Sequence, residues 1–321
     1  MKALVYDRYG PPESVRFDDI DKPVPKEGEI LVRVAAASVN PYDWRLVTAD
    51  PFLVRLSAGL FRPKNGSLGA DFSGTVEAVG PNVRSFSPGD AVFGEVEQGS
   101  FAEHLCVRES MAVHKPAKTS FVHAASLPMV GLTAIQALHD DSSVGTGTRV
   151  LINGASGGIG TFAVQYAKHR GAHVTGVCSS HNRELVLSLG ADEVIDYTSE
   201  DVTAREKEWD IVLDAVGNLT IKQVLRITVS GGTVLKAGFT TFSNMLPFLV
   251  HNNKKPRKNG ALIRVVTIKE PGDKLRMIKE LLEADHIHAV VDRIYPFVET
   301  ADALVYSRNG HARGKIVVEM G

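Results

Sequence analysis

The stretch VLINGASGGIG, residues 150–160, constrains the fold of this chain more than any other part of the sequence. Its apolar run ends at Asn153, and glycines crowd the residues that follow. In a strand–turn–helix unit such glycines allow a tight turn, admit a pyrophosphate close to the backbone and let the helix pack against the strand. Free N–H groups at the start of the helix then bind the anion. The stretch therefore predicts a dinucleotide site.

The elements around this turn support the same interpretation over a purely structural turn. A helix is predicted from Gly158 to about His169, because Ile159, Ala163 and Tyr166 share one face, and the strand HVTGVC follows at 173–178. In the register of G-x-G-x-x-G the first position is alanine, so the motif is a variant. The predicted phosphate-binding residues are Gly154, Ala155, Ser156, Gly157, Gly158, Ile159 and Gly160.

The pattern of apolar runs changes along the chain. Up to about residue 115, short runs alternate with Pro and Gly clusters, which is typical of an all-β unit. Past Pro128, strands alternate with helices, which predicts a parallel, doubly wound α/β sheet of the Rossmann type. The tail returns to strand-like runs at 290–297 and 315–320. We predict one domain from residues 1–121 and 289–321, and a Rossmann domain from residues 122–288.

Composition excludes several classes of partner. Among 321 residues, 36 Lys and Arg balance 37 Asp and Glu, so no basic field attracts nucleic acid or a membrane surface. Cys106 and Cys178 are too few for a disulfide framework and suit a reducing compartment. Charged Asp7 and Arg8 interrupt the N-terminus, and no run is long enough to span a bilayer. We expect a cytoplasmic protein with a small-molecule ligand.

The glycine motif alone fits two dehydrogenase families. Short-chain dehydrogenases place it near the N-terminus and add a Tyr-x-x-x-Lys pair, whereas here it lies mid-chain and no tyrosine has lysine four places on. The segments ASVNPYDW, GADFSGTVEAVG, GDAVFG, LPMVGLTAIQAL, LGADEVIDY and GHARGKIVVE resemble the medium-chain dehydrogenase/reductase superfamily, specifically its zinc-independent quinone oxidoreductase branch, which includes zeta-crystallin-like and chloroplast-envelope homologues. The resemblance implies that a GroES-like β-barrel domain accompanies the Rossmann domain, and that the protein is a homodimer.

Zinc-dependent members of this superfamily carry a cysteine in the segment matching SVNPYDW and a His-Glu pair in the segment matching GADF. This chain has Asn40 and Pro41 in the first segment and Ala70 and Asp71 in the second. A single carboxylate cannot hold a catalytic zinc. We therefore predict that the protein binds no metal, and we interpret the His286-x-His288 pair as a solvated turn.

The second strand of the nucleotide unit bears on cofactor choice. NAD-selective sites place an acidic residue there, about 20 positions past the glycines, whereas this chain has Cys178. Ser179, Ser180 and Arg183 would bind a 2′-phosphate, so NADPH is predicted over NADH. In the alternative interpretation the serines cap the next helix and Arg183 is a solvated charge. Glu184 is an argument for NAD.

The resemblance assigns further cofactor contacts. It places Tyr197 near the adenosine, and Thr133, Asn40, Gly238 and Phe239 near the nicotinamide; Lys315 recurs in the family without a role that we can derive. Packing would also explain the tyrosine, and a hydrogen bond to its own helix would explain the threonine.

Without a metal, the remaining chemistry is hydride delivery to an acceptor that is already electrophilic, such as a quinone or an α,β-unsaturated carbonyl. Beside Asn40 lie Tyr42, Asp43 and Arg45, and the Tyr42 hydroxyl or the Arg45 guanidinium would stabilise an oxyanion. Related enzymes carry their tyrosine slightly further along this segment. A structural Tyr, a capping Asp and a solvated Arg form the alternative, with water as the proton donor.

Three other functions stay open from the sequence. The chain would also suit a reductase of one specific enone or enoyl thioester, an NADPH-binding scaffold or sensor without turnover, or, more distantly, a zinc alcohol dehydrogenase. The basic run at 252–259 is interpreted as a solvated loop or as a loop at the rim of the substrate cleft. The apolar segment 239–251 is interpreted as a buried helix or an acceptor wall, and the β-branched segment 261–268 as an edge strand that pairs two subunits.

Overall fold

The computed structural model describes residues 1–252, 260–310 and 312–321. The basic run therefore lies, apart from its first residue, outside the described residues. Within them the strands are β1 (Lys2–Val5), β2 (Arg16–Asp19), β3 (Glu29–Val39), β4 (Asp71–Val79), β5 (Ala91–Glu95), β6 (His104–Arg108), β7 (Ala112–His114), β8 (Arg149–Asn153), β9 (His173–Cys178), β10 (Glu193–Asp196), β11 (Trp209–Asp214), β12 (Thr228–Lys236), β13 (Leu262–Val265), β14 (Val291–Pro296) and β15 (Lys315–Glu319).

The helices connect these strands. They are α1 (Pro41–Thr48), α2 (Val54–Ala58), α3 (Phe121–Ala125), α4 (Pro128–Ile135), α5 (Gly158–His169), α6 (Arg183–Ser188), α7 (Ile221–Ile227), α8 (Phe242–His251), α9 (Pro271–Glu283) and α10 (Thr300–Arg308). In the described part of the chain, no helix has both the length and the apolar character needed to cross a membrane.

The chain forms two compact units. The first comprises Met1–Met129, Pro271–Asp285 and Ala289–Gly321, and the second comprises Val130–Glu270 and His286–His288. The division differs from the predicted 122–288 chiefly at α9, which packs against β7 and so belongs to the first unit. Strand and helix patterns do not show which sheet a helix will cover. The sequence could therefore not assign α9 to the first unit.

The second unit contains the predicted doubly wound sheet. Its six strands are parallel and run in the order β10-β9-β8-β11-β12-β13. This is the strand order of the Rossmann fold, which confirms the predicted fold class. The strand order reverses between β8 and β11, and ligands of such sheets bind outside the carboxyl ends of the strands at that point. Helix α5 begins and ends at the predicted residues, and Gly171 beyond it has a left-handed φ of 82°.

The first unit is built on a sheet ordered β14-β15-β3-β4-β5-β7, with β6 also paired to β3. All of its pairs are antiparallel except β14 with β15. The predicted return of the C-terminal tail to this unit is confirmed, because β15 pairs with β3. Val32, Phe72 and Val92 lie in its core and are fully buried.

The register of this sheet brings distant parts of the chain to one edge. Ser38, near the end of β3, pairs with Asp71 at the start of β4, and Asp71 pairs with Glu95 at the end of β5. Ile316 pairs with Val39, so β15 starts at the same edge. Residues at these four strand ends are therefore neighbours, although the sequence separates them widely.

Helix α8 lies where an apolar segment was expected. Phe248 is fully buried, whereas Leu246, Leu249 and Val250 are exposed. Among the side chains of α8 that the structure describes, only Phe248 is buried, so the helix lies at the surface and the interpretation as a buried helix holds only for the face of Phe248.

Candidate functional site

The glycine turn between β8 and α5 has the geometry that phosphate binding requires. Gly154 has a φ of 87°, and a Cβ there would lie 2.6 Å from Cγ2 of Val216. A Cβ on Gly160 would lie 2.6 Å from Cα of Ala155 and closer still to the Gly154 carbonyl. Gly157, the N-cap of α5, faces more open space, since a Cβ there would approach nothing nearer than the Gly154 oxygen at 3.5 Å. The turn therefore fits a pyrophosphate at the helix N-terminus.

The adenosine end of the predicted site is ordered by Asn182. Its amide nitrogen donates to Ser156 Oγ at 3.1 Å and to Ser179 Oγ at 3.3 Å, which links the glycine turn to the segment after β9. Cys178 is buried, and burial raises the pKa of its thiol to about 11. The thiol is therefore a neutral packing group at the position where NAD-selective sites carry a carboxylate.

An acidic group that the sequence analysis did not consider lies beside the predicted 2′-phosphate residues. Ser180 donates hydrogen bonds to the Asp196 carboxylate, whose pKa is lowered chiefly by the Thr198 N–H. Arg183 is exposed, and its guanidinium donates to the Val194 carbonyl at 2.9 Å. Tyr197 is 60% exposed. The predicted 2′-phosphate site thus includes both the Arg183 cation and the Asp196 anion.

A buried ion pair organises the carboxyl ends of the central strands. Lys236 at the end of β12 donates to Asp214 at the end of β11, with Nζ 2.6 Å from Oδ2, and both side chains are fully buried. Burial lowers the pKa of Lys236, whereas the Asp214 charge opposes that shift. Asp214 also accepts from Asn153 Nδ2 and Gly217 N, each at 2.8 Å. The carboxylate therefore fixes the loop that follows β11.

That loop packs backbone to backbone against the predicted nicotinamide-side turn. A Cβ on Gly238 would lie 2.5 Å from the Ala215 carbonyl oxygen, and a Cβ on Gly217 would collide with the Gly238 carbonyl. The Lys236 ammonium lies 5.7 Å from the centroid of the Phe239 ring. Gly238 and Phe239 are thus brought together with the ion pair, and Thr133 is buried in α4 of the same unit.

In the first unit, Asp71 is the centre of a buried polar cluster at the strand ends. The Lys315 ammonium lies 2.5 Å from Asn40 Oδ1 and 3.4 Å from Asp71 Oδ2. Asp71 accepts three further hydrogen bonds, from Ser38 Oγ at 2.6 Å, Asn40 Nδ2 at 3.0 Å and the Met129 N–H at 2.8 Å. Burial lowers the pKa of Lys315, and Asp71 and Asp43 oppose that shift. Lys315, predicted beside the cofactor, is thus a partner of Asn40.

Asp43 holds the start of α1. Its carboxylate accepts from the Asn40 N–H at 2.7 Å and from the Gly69 N–H at 3.1 Å. The side chain is fully buried, and burial raises its pKa to about 7 against these hydrogen bonds. This geometry matches the capping role that the sequence left as the alternative to catalysis.

Two further ionisable groups border this cluster. Tyr42 is 38% exposed; burial raises the pKa of its hydroxyl, a hydrogen bond with Gln98 opposes the rise, and the charges of Glu97, Asp43 and Glu95 add to it. Burial, together with the Asp71 charge, raises the pKa of Glu95 to about 8, and Lys315 opposes that shift. The predicted Tyr42 and Asn40 therefore share one site with a glutamate that sequence reasoning missed.

Arg45 is the fourth predicted residue of this segment. Its guanidinium lies over the Trp44 ring, 4.9 Å from the centroid, and burial lowers its pKa while the charge of Asp50 opposes the shift. A cation held on an indole face is oriented by the protein.

A recurring sequence signal marks several of the residues that were missed. In the second unit β8, β11 and β12 end in VLIN, IVLD and TVLK, so a polar side chain closes each apolar strand. In a parallel sheet these ends meet at one edge. Asn153, Asp214 and Lys236 could have been grouped on that ground.

The residues of the first-unit cluster do not fit a zinc ion. Across the described ranges, no group of three or more His, Cys, Asp and Glu side chains is placed to hold a metal. Asn40 and Asp71 direct their oxygens at the Lys315 ammonium, which would repel a divalent cation. Neither a thiolate nor an imidazole belongs to the cluster, and zinc prefers such ligands.

The fold and the glycine turn together define a class of protein, the two-domain nicotinamide-dependent oxidoreductases. Comparison with family models agrees. The model described as an alcohol dehydrogenase GroES-like domain matches residues 26–117, and the model described as a zinc-binding dehydrogenase matches residues 189–318. The first match confirms the predicted GroES-like domain.

Whole-chain relatives narrow the class. The chain is 35% identical to a mitochondrial NAD(P)H oxidoreductase of Bos taurus, covering 100% of this chain and 89% of the relative. It is 30% identical to a chloroplastic NADPH-dependent alkenal/one oxidoreductase of Arabidopsis thaliana, covering 99% and 79%. The solved quinone oxidoreductase of Coxiella burnetii is 30% identical, with a TM-score of 0.84 and 99% of each chain covered.

The chain belongs to the medium-chain dehydrogenase/reductase superfamily, among its quinone oxidoreductases and alkenal reductases. It is an NAD(P)H-dependent oxidoreductase. The predicted family is thereby confirmed. The polar cluster of the first unit and the glycine turn of the second unit are the candidate functional sites.

Proposed function

We propose that the protein is a zinc-independent, NADPH-dependent reductase of quinones or α,β-unsaturated carbonyls. The observation that carries this proposal is the buried Lys315 ammonium, which is bound to Asn40 and Asp71 inside the polar cluster. A site without a Lewis acid cannot polarise an unactivated alcohol or carbonyl. The acceptor must therefore be electrophilic already, as conjugated carbonyls are.

The second unit supplies the residues that would hold the cofactor. The turn at 154–160 would bind the pyrophosphate, and the Asp214–Lys236 pair would keep the loop after β11 against Gly238 and Phe239. When bound, the reduced nicotinamide supplies a hydride. The protein's part is to orient the ring and to exclude water, and orientation alone contributes several kcal/mol.

NADPH is the proposed form of the cofactor. The exposed Arg183 guanidinium and the Ser179 hydroxyl would bind a 2′-phosphate. A relative that spans nearly the whole chain is named as NADPH-dependent. Asp196 acts against a second negative charge, so the preference over NADH is expected to be moderate.

The first unit would bind the acceptor. The Tyr42 hydroxyl stays protonated because its pKa is raised, so it can donate a hydrogen bond to the oxygen on which negative charge develops. Helix α2 packs next to α1 and the segment around it exposes Phe52, Leu56 and Phe61. These side chains offer apolar surface to a hydrophobic acceptor.

The first test is the loss of nicotinamide absorbance with NADPH and, separately, NADH, using a benzoquinone and an alkyl vinyl ketone as acceptors. We expect turnover with NADPH to exceed turnover with NADH, and metal analysis of the active protein to find no stoichiometric zinc. Faster turnover with NADH would overturn the cofactor assignment. NADPH binding without turnover of either acceptor would favour the scaffold or sensor function.

We also propose a homodimer. Strand β13 is the outer strand of its sheet and, within the described residues, pairs with β12 alone, so its other edge is open to pairing with a second copy. Light scattering on the purified protein should give twice the chain mass, and a monomer mass would contradict the proposal. A cytoplasmic location, without nucleic-acid or membrane partners, is likewise our proposal and is testable by cell fractionation.

A further inference from the structure

The polar cluster of the first unit contains more carboxyl groups than it can ionise. Asp43, Asp71 and Glu95 interact with a single ammonium, that of Lys315. If all three carboxyls were charged, the cluster would carry two uncompensated negative charges in a mostly buried place. Like charges in low dielectric disfavour ionisation, so such a cluster retains protons near neutral pH.

The hydrogen bonds show where a transferable proton is kept. Asp71 already accepts hydrogen bonds from side-chain and backbone donors on both of its carboxyl oxygens, so its acceptor positions are occupied within the cluster. Asp43 is fully buried with both oxygens on backbone N–H groups, so it cannot reach a ligand. Glu95 is partly exposed, and within the described part of the chain no hydrogen bond to its carboxyl is found. The protonated, accessible carboxyl is therefore that of Glu95.

Two carboxyl groups on paired positions of neighbouring strands thus have different environments. Asp71 and Glu95 are directly opposite in the β4–β5 ladder, yet one faces donors and the other does not. In enzymes, two carboxyl groups in different environments can take separate roles, one as a hydrogen-bond acceptor and the other as an acid. The charge of Glu95 is one of those that raise the pKa of the Tyr42 hydroxyl, so the acid and the proposed oxyanion donor share one electrostatic environment.

We propose that Glu95 is the catalytic acid that protonates the reduced acceptor, with Tyr42 bound to the acceptor oxygen and with Asp71 and Lys315 acting on the acid through their charges. The inference rests on the proposed function. For an enone, a reduced nicotinamide held by the turn at 154–160 would supply a hydride, one hydrogen with two electrons, to the β-carbon. The Glu95 O–H bond breaks and its proton goes to the α-carbon, which leaves a saturated ketone and a Glu95 carboxylate. Water returns the proton, and the Lys315 ammonium stabilises the carboxylate in the interval.

The test compares Glu95→Gln with Glu97→Gln, which removes an exposed carboxylate two residues further along. With an alkyl vinyl ketone, E95Q should lower kcat by about 10²- to 10⁴-fold, the usual range for a lost general acid. With a benzoquinone, the loss should be less than about tenfold, because a phenolate oxygen is a weaker base than an enolate and depends less on an acid. E97Q removes a charge that also acts on Tyr42, so it should change both rates alike and leave their ratio as in the wild type. NADPH affinity, measured by nicotinamide fluorescence, should be the same in all three proteins.

A second readout follows the proton itself. In the wild type, kcat/KM for the vinyl ketone should fall above about pH 8, where Glu95 becomes ionised, and E95Q should lack that limb. Infrared difference spectra of the free protein across this pH range should show a protonated carboxyl band that is missing from E95Q and retained in E97Q.

The outcomes distinguish a catalytic role of Glu95 from a structural one. They also distinguish failure of this inference from failure of the proposed function. An equal loss with both acceptors would assign Glu95 to the fold, and a pH limb that persists in E95Q would show that another titrating group controls the rate; either result overturns the proposal. If the wild type reduces neither acceptor, the proposed function fails. The infrared spectra then still decide whether Glu95 holds the proton, and a missing band would overturn the inference on its own.

Discussion

Lys315 shows how a single side chain acquires its role from residues far away in the chain. Its ammonium meets Asn40, which is 275 positions earlier, and Asp71, which is 244 positions earlier. Nothing in GKIVVE indicates that its lysine will be buried, because the periodicity of a strand does not show which other strand ends will lie next to that lysine. The segments that contain Asn40 and Asp71 could be selected from the sequence. The Lys315–Asp71 ion pair and the place of Glu95 in the cluster follow from sheet register, which the sequence does not show.

Replacing Lys315 with Met should lower the free energy of unfolding by about 3–5 kcal/mol, because it leaves the Asp71 carboxylate buried without its cation. Urea unfolding followed by circular dichroism measures the loss. Lys222→Met, an exposed change on α7, is the control and should lie within about 0.5 kcal/mol of the wild type. Equal stability of K315M and wild type would show that the pair is dispensable to the fold.

Tyr42→Phe should lower kcat/KM for an alkyl vinyl ketone by about tenfold, since one hydrogen bond to a developing oxyanion at a partly exposed site is worth about 1.4 kcal/mol. Steady-state kinetics with NADPH gives the ratio. Tyr295→Phe is the matched control, as this tyrosine lies in β14. An unchanged rate in Y42F would show that Tyr42 does not stabilise the oxyanion and would leave that role to Arg45 or to water.

At the scale of elements, the strand–turn–helix at 149–169 was predictable because every determinant is local. The apolar strand residues, the glycines of the turn and the apolar positions of the helix all lie within this one short segment. The predicted bounds of α5 are accordingly confirmed. The placement of α9 was not predictable, since an amphipathic helix shows which of its faces is buried but not which sheet covers that face.

The glycines of this turn should respond differently to the same added methyl group. Gly160→Ala pushes a Cβ into the Ala155 backbone and should cost about 1–3 kcal/mol of stability. Gly157→Ala has room for its Cβ and should change stability by no more than about 1 kcal/mol, while NADPH affinity falls because the methyl group narrows the approach of the pyrophosphate. Thermal unfolding and nicotinamide fluorescence provide the two measurements. Unchanged NADPH affinity in G157A would place the phosphates elsewhere.

At the scale of the whole molecule, retained protons make stability depend on pH. Glu95 has a pKa of about 8 in the folded chain and an ordinary, lower value when unfolded. Between these values the folded state binds more protons, so stability falls as pH rises. Relative to E95Q, the wild type should lose about 1–3 kcal/mol of unfolding free energy between about pH 5 and pH 8. A constant difference between the two proteins across this range would show that Glu95 ionises normally.

The buried ion pairs Lys236–Asp214 and Lys315–Asp71 also make the lysines of this protein unequal towards amine-acylating reagents. Lys236 lies in the second unit and Lys315 in the first, and both are shielded from water by their own unit. A reagent that labels the surface lysines within seconds will reach either of these two only when its unit opens. Mass spectrometry of the labelled peptides would therefore time the opening of each half of the molecule separately, without any engineered probe.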